Sequence, residues 1–235
     1  MHFKILTIFP SLFPAILGES ITGAALRKNL WSFEAINIRN YALDNHKTVD
    51  DIPYGGGAGM LLKADILGRT IEENNCKKII YLSPRGKIFN QKMAQKLSKE
   101  KELTILCGRY EGIDARVLDE YEIEEISIGD YVLSGGEISA YVLIDAILRN
   151  VAGVLGADES LNEESFGAIN NSEYENLLEY PHYTRPAVWK GRSVPEILTS
   201  GHHKNIQNWR KEKAVEITKK NRPDLYQKFI EKNKK

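Results

Sequence analysis

Two glycine-punctuated stretches, Cys107-Gly-Arg-Tyr-Glu-Gly-Ile-Asp114 and Ser127-Ile-Gly-Asp-Tyr-Val-Leu-Ser-Gly-Gly-Glu137, decide how this sequence reads. Each follows a short apolar run, Leu103 to Leu106 in the first case and Ile126 with Ile128 in the second, and each precedes a helix-like segment. A turn between a strand and a helix lies at the C-terminal edge of a parallel sheet, which is where open α/β sheets bind ligands.

Working outward, Phe3 to Phe9 reads as a strand ended by Pro10 and Pro14, Glu19 to Asn29 as a helix, and Phe33 to Ile38 as a second strand, which together make a βαβ unit. Lys77 to Ser83 is a third strand, Asn90 to Lys99 an amphipathic helix, Leu103 to Cys107 a fourth strand and Ile123 to Ile128 a fifth. Alternating strands and helices predict an α/β fold, a mostly parallel sheet with helices on both faces. Ile138 to Val151 is nearly all apolar, so it is expected as a buried helix lying against the sheet or against another subunit.

After Gly153-Val-Leu-Gly156 the composition turns acidic and polar, which places a domain boundary there. Residues 157–180 carry seven acidic and no basic residues and read as a flexible linker, separating a domain over 1–156 from a small all-helical module over 181–235. In that module Val194 to Thr199, Asn205 to Lys220 and Asp224 to Lys232 are expected helices, the first with Pro195 near its start and Gly201 past its end. A net charge of zero conceals a division: residues from 181 onward hold 14 basic and 5 acidic residues, against 18 and 27 before them. A basic C-terminal module is the footprint of a phosphate-backbone partner, although solvated basic helices have the same composition.

No apolar run approaches the roughly 20 residues of a membrane span, and the first residues lead into a strand rather than a signal sequence, so the expected location is the cytoplasm. Cys76 and Cys107 belong to no metal-ligand cluster and read as reduced thiols.

Tyr54-Gly-Gly-Gly-Ala-Gly-Met60 invites a phosphate-loop reading, but it lacks a Gly-Lys-Ser/Thr ending, Gly-x-Gly-x-x-Gly spacing and a strong preceding strand. What remains is a loop whose backbone, at Gly56 and Gly57 above all, can approach a substrate closely, or a structural turn. Ser83-Pro-Arg-Gly86 shares the strand-end edge with the two stretches quoted first. Three loops lined by Tyr110, Ile128, Tyr131 and Leu133 among glycines make a concave site with backbone donors and apolar walls. Such a site suits an uncharged heterocycle such as adenine better than a polyphosphate, because no loop offers a Lys and hydroxyl pair.

These two stretches, with Gly153-Val-Leu-Gly156, Pro181-His-Tyr-Thr-Arg-Pro186, Ser200-Gly-His-His203 and Trp209-Arg210, resemble the bacterial tRNA (guanine-N1)-methyltransferase TrmD family almost end to end. The resemblance implies a SPOUT methyltransferase with a deep trefoil knot that binds S-adenosylmethionine, and a homodimer whose active sites are shared between subunits. Sequence rules alone argue against a knot, since threaded chains are rare. It implies methyl transfer to N1 of the guanosine immediately 3′ of the anticodon in tRNA. The matching donor-binding positions are Leu82, Ser83, Pro84, Gly108, Tyr110, Glu111, Ile128, Gly129, Asp130, Tyr131, Val132, Leu133, Gly135 and Gly136.

The reaction needs one group to take the N1 proton and a cation near O6 to stabilise the charge that develops there. By resemblance the cation is Arg149 and the base Glu164, with Glu163 its rival; a helix-end cation and a solvated acid are their ordinary readings. A carboxylate is a weak base for a guanine imide, so this assignment needs Arg149 to acidify the substrate. The family commonly has Asp where Glu164 stands, and the segment from Gly167 to Asn176 is longer than its pattern. Glu179 is expected to orient Arg149; His182, Arg185, His202 and His203 are expected to face RNA, having no trustworthy metal-ligand spacing. Family likeness also implies help from Mg2+, at a position nothing in the sequence identifies. Two other readings stand beside this one: a tRNA-binding protein of the same fold with impaired catalysis, and a nucleotide-dependent dehydrogenase, against which the missing Gly-x-Gly-x-x-Gly fingerprint argues.

Overall fold

The structure, a computed structural model, describes residues 1–155, 164–166 and 173–233. It divides into two compact units, Met1–Gly156 and Ala157–Lys235.

The first unit is built on β1 (His2–Thr7), α1 (Ser20–Arg27), β2 (Ser32–Asn37), a short ribbon of β3 (Asp50–Asp51) and β4 (Leu61–Leu62), α2 (Ala64–Glu73), β5 (Ile79–Ile88), α3 (Gln91–Leu97), β6 (Glu102–Leu106), α4 (Ala115–Glu120), β7 (Glu124–Ser127) and α5 (Gly136–Leu148). The five long strands form one sheet in the order β2-β1-β6-β5-β7, every pairing parallel. β1, α1 and β2 make the expected βαβ unit, with His2 opposite Ser32 and Thr7 opposite Asn37.

A parallel sheet covered on both sides needs apolar residues at successive positions, and the period of two sorts them. Ile80, Leu82 and Ile105 pack on one face with α1, α3 and α5, in a core that also holds Phe3, Ile5 and Trp31. Ile79, Tyr81 and Leu106 pack on the other with Ile66, Leu67 and Ile71 of α2 and Val117 of α4. Trp31 is fully enclosed, and its Nε1 donates to the Thr22 carbonyl at 2.8 Å, which satisfies the one polar atom this large side chain takes inside.

Two helices start where their caps dictate. Asn90 Oδ1 accepts from the Met93 amide at 3.0 Å to open α3, and Asp114 Oδ1 accepts from the Arg116 amide at 3.0 Å to open α4. The sequence reading missed α2, a helix of 10 residues with Gly68 among its apolar positions. It also ended the third strand at Ser83. β5 instead leaves its register between Leu82 and Lys87, both of which face Ile126, so Ser83 to Gly86 form an excursion inside a strand that then resumes.

The second unit contains β8 (Val188–Trp189), β9 (Arg192–Ser193), a 3-10 turn at Glu196–Thr199, α6 (His203–Asn221) and α7 (Pro223–Asn233). Two expectations are corrected here. The module is not all-helical, because β8 and β9 pair antiparallel, and Val194 to Thr199 narrows to the 3-10 turn. Nor are residues 173–180, the described end of the expected linker, simply linker: Leu177 and Tyr180 are buried with Ala214, and Tyr174 packs against them. The physical reason is that acids in this segment meet the cations of the helices. Lys211 Nζ lies 2.6 Å from Glu173, and Lys232 pairs with Glu175.

Candidate functional site

Between the β5 excursion and the C-terminal ends of β6 and β7 lies a cavity of about 240 Å3. Thirteen of the fourteen expected donor-binding residues line it: Leu82, Ser83 and Pro84 from the β5 excursion, Gly108, Tyr110 and Glu111 after β6, and Ile128, Gly129, Tyr131, Val132, Leu133, Gly135 and Gly136 after β7. Asp130 does not line it and is exposed.

Close backbone packing joins the two stretches. The Gly136 amide donates to the Gly108 carbonyl at 2.9 Å, and a Cβ on Gly136 would stand 2.8 Å from the Cys107 α-carbon. A Cβ on Gly108 would stand 2.7 Å from the Tyr81 ring. At these positions glycine is needed because backbone meets backbone or ring with no room between.

Sequence reasoning missed the ionic clasp beneath the cavity. Glu137, in the first turn of α5, is almost fully buried. Thr7 Oγ1, at the end of β1, donates to its Oε1 at 2.7 Å, and Arg109 Nη2 stands 2.8 Å from its Oε2. Arg109 also donates from Nη1 to the Ser134 carbonyl at 3.1 Å and lies 4.6 Å from the Phe9 ring centroid. A buried carboxylate survives only when paired, and the N-terminal turn of a helix favours negative charge. The pair therefore ties the ends of β1 and β6 to the start of α5. Both residues sit inside the quoted stretches, and a charge enclosed by glycines was the available signal. Burial holds the adjacent Cys107 thiol well above its usual range, and the Glu137 charge adds to the effect.

A larger groove of about 940 Å3 opens elsewhere in this unit, lined by Asp51, Tyr54, Lys63, Arg69, Glu72 and Arg116 among others. Size alone does not make it the better site, and three of its charges are already engaged in place. Arg116 is held by Asp114 at 2.6 Å, Arg69 by the Tyr41 carbonyl, and Glu72 by the Tyr121 hydroxyl at 2.6 Å, a bond that pushes the phenol up to about 12.

The Tyr54–Met60 loop reaches the edge of the smaller cavity at its far end, where the Glu111 amide donates to the Met60 carbonyl at 2.9 Å. Gly56 and Gly57 stand in open space at positive φ, outside both linings.

With the geometry in view, comparison with known proteins is decisive. The chain matches the family described as tRNA (Guanine-1)-methyltransferase TrmD over residues 1–228. This chain belongs to that family. It is 51% identical over 228 residues to the tRNA (guanine-N(1)-)-methyltransferase of Rhodospirillum rubrum, covering 96% of this chain and 92% of that one. It is 52% identical over 229 residues to the protein of the same name from Anaplasma marginale strain St. Maries, covering 96% and 94%. For the Rickettsia akari protein of that name the identity is 49% over 229 residues, covering 96% and 97%.

The remaining TrmD-like positions fall as follows. Arg149 caps the C-terminus of α5, its amide donating to the Asp145 carbonyl at 3.1 Å. Glu164 is half-buried at the head of a short described segment; Glu163 lies outside the described residues. The Phe166 amide donates to the Leu177 carbonyl at 2.7 Å and the Glu179 amide to Ser165 Oγ at 3.0 Å, so Glu164 to Phe166 run beside Leu177 to Glu179. Glu179 Oε1 stands 2.8 Å from His182 Nε2. Arg185 is exposed, His202 occupies the N-cap position of α6 and His203 begins it. Among the described residues no group of three or more His, Cys, Asp or Glu could hold a metal ion.

Proposed function

We propose that this chain transfers the methyl group of S-adenosylmethionine to N1 of the guanosine immediately 3′ of the anticodon in tRNA. The observation that carries the reading is the cavity between the β5 excursion and the ends of β6 and β7, walled by the glycine stretches of a tRNA (guanine-1)-methyltransferase family member.

The residues present fit the donor's adenine. Backbone groups of Gly108, Gly135 and Gly136 would read its edge, while Ile128, Leu133 and Tyr110 supply apolar walls. When bound, the donor's sulfonium supplies an already activated methyl group. What the chain must add is alignment, a proton acceptor and a cation beside O6. Glu164 takes the N1 proton in this reading, Arg149 stabilises the charge that develops on O6, and Glu179 orients the guanidinium. Gly56, Gly57, His182, Arg185, His202 and His203 contact the tRNA. No described cluster fits a Mg2+ ion, and no step is assigned to one.

A cavity of 240 Å3 falls below the roughly 300–1,000 Å3 of sites that enclose a drug-sized ligand. Its lip carries exposed Tyr131 and Val132, and the outer face of α5 exposes Ile138 and Val142. Unpartnered apolar surface beside an incomplete cavity supports a homodimer that completes the site from its second subunit. The SPOUT trefoil knot is the proposed path of the two glycine stretches, the domains over 1–156 and 181–235 are its donor and tRNA modules, and the cytoplasm is the expected location. No helix among the described residues is long and apolar enough to cross a membrane.

The test is transfer of labelled methyl to two tRNA transcripts, one with guanine and one with adenine after the anticodon. Transfer to the first alone is expected, with Glu164→Gln binding the donor normally and losing most turnover. Donor binding without transfer to either transcript would favour the catalytically impaired tRNA-binding protein instead.

A further inference from the structure

The ribbon of β8 and β9 stands apart from the core of its own unit. Trp189 pairs with Arg192 and Val188 with Ser193, and the two-residue link is Lys190-Gly191 with φ of +49° and +75°. Positive φ at both central positions is the turn whose twist matches a tight hairpin. Side chains alternate across a ribbon, so Val188 and Trp189 point to opposite faces. Both are exposed, at 58% and 59%, and neither belongs to the core of Leu177, Tyr180 and Ala214. Neither face of the ribbon is thus explained by packing within the unit, and an indole left in water gives up the burial that a side chain of its size could contribute.

The setting is cationic. From Pro181 to Pro195 the sequence holds Arg185, Lys190 and Arg192 and no acid. Lys190 Nζ lies 4.9 Å from the Trp189 ring centroid, within cation–π range, which steadies the indole and leaves an ammonium beside it. A flat aromatic surface flanked by cations, on a support with no acid to repel phosphate, is what unpaired RNA bases and their backbone require.

We infer that the Trp189 ribbon is an RNA contact: an unpaired base of the tRNA stacks on the indole, with Lys190 and Arg192 on the flanking phosphates. The inference rests on the tRNA reading above and adds to it a stacking residue outside the catalytic set.

Binding of unmodified tRNA transcript to full-length protein is measured separately from turnover, with donor affinity and oligomeric state as controls. Trp189→Ala is expected to weaken tRNA binding by about 5- to 160-fold, the range for loss of one stacked base, with donor affinity unchanged. Trp189→Phe should recover most of that loss, and the Lys190→Ala, Arg192→Ala double variant should flatten the salt dependence by between one and two units of log–log slope. A Trp189→Ala affinity within twofold of wild type overturns the inference, as does a Trp189→Phe variant no better than alanine. A change of oligomeric state with tRNA affinity retained overturns it too, by making the ribbon a protein interface. If the wild type binds tRNA but methylates neither transcript, the methyltransferase reading falls while the affinity ratio still decides this one. If it binds no tRNA, both fall.

Discussion

The first unit contains two kinds of glycine-rich segment, and they use glycine mainly for different reasons. In Tyr54–Met60, a Cβ on Gly55, Gly56 or Gly57 would meet nothing within 4 Å, and what glycine supplies there is φ of +85°, +77° and +124°; only Gly59, where the loop nears Glu111, is also crowded, at 2.3 Å from that side chain. Around the candidate donor cavity proximity dominates, although Gly112 and Gly129 there combine near contacts with φ of +125° and +148°. Gly136 and Gly108 face backbone or ring atoms at under 3 Å, and neither needs a left-handed backbone. Glycine density in a sequence therefore marks two different constraints, conformational freedom in open space and sheer proximity in a packed site.

The sharpest way to break that comparison is Gly136→Ala. Its methyl would strike backbone atoms of Cys107 and Gly108, which cannot swing aside. We expect a loss of about 3 kcal/mol, the upper end for overpacking, equivalent to roughly 6–12 °C in Tm for a chain of this length. Donor binding by calorimetry should be lost with it, and a variant that melts and binds like wild type would refute the packing account.

A middle-sized effect is expected at Glu137→Gln, which keeps the Thr7 hydrogen bond but leaves the Arg109 guanidinium without its countercharge. Because Arg109 is partly open to the cavity, about 2 kcal/mol is expected rather than the larger loss of a fully buried pair. Adding Arg109→Met should return part of the loss, since the two residues act as one unit. Strict additivity in thermal melts would remove the clasp from the account of the site.

Gly56→Ala should have the smallest effect. Holding alanine at φ near +77° costs about 1 kcal/mol, and the loop can relax into open space. Donor affinity should stay put, with any change confined to KM for tRNA. A shifted donor Kd would mean that the open glycines belong to the packed site after all.

How much of this was legible beforehand follows the same division. The parallel sheet could be read because its strands are short apolar runs between turns, and the cavity lining because its residues sit in two continuous stretches. α2 was not read: Ile66, Leu67, Thr70 and Ile71 keep helical spacing on one face, but the helix is only 10 residues long and Gly68 among them weakens the local signal. Nor could the resumption of β5 after Pro84 be read, since it depends on a partner strand about 40 residues later. Thr7 could not be connected to Glu137 by any local pattern, and the role of Leu177 and Tyr180 was masked by the acids around them.

The order of strands carries a consequence for how the chain is made. β6 lies in the middle of the sheet, yet it is synthesised after both of its neighbours, and its pairing joins His2 to Glu102 across roughly 100 positions. Until residues 102–106 leave the ribosome, β1 and β5 each hold an apolar edge with no strand to receive it. A nascent chain stalled before that point would be a target for chaperones and for aggregation, whereas one that has passed it could join β1 to β5 through β6, leaving only β7 to add at the edge.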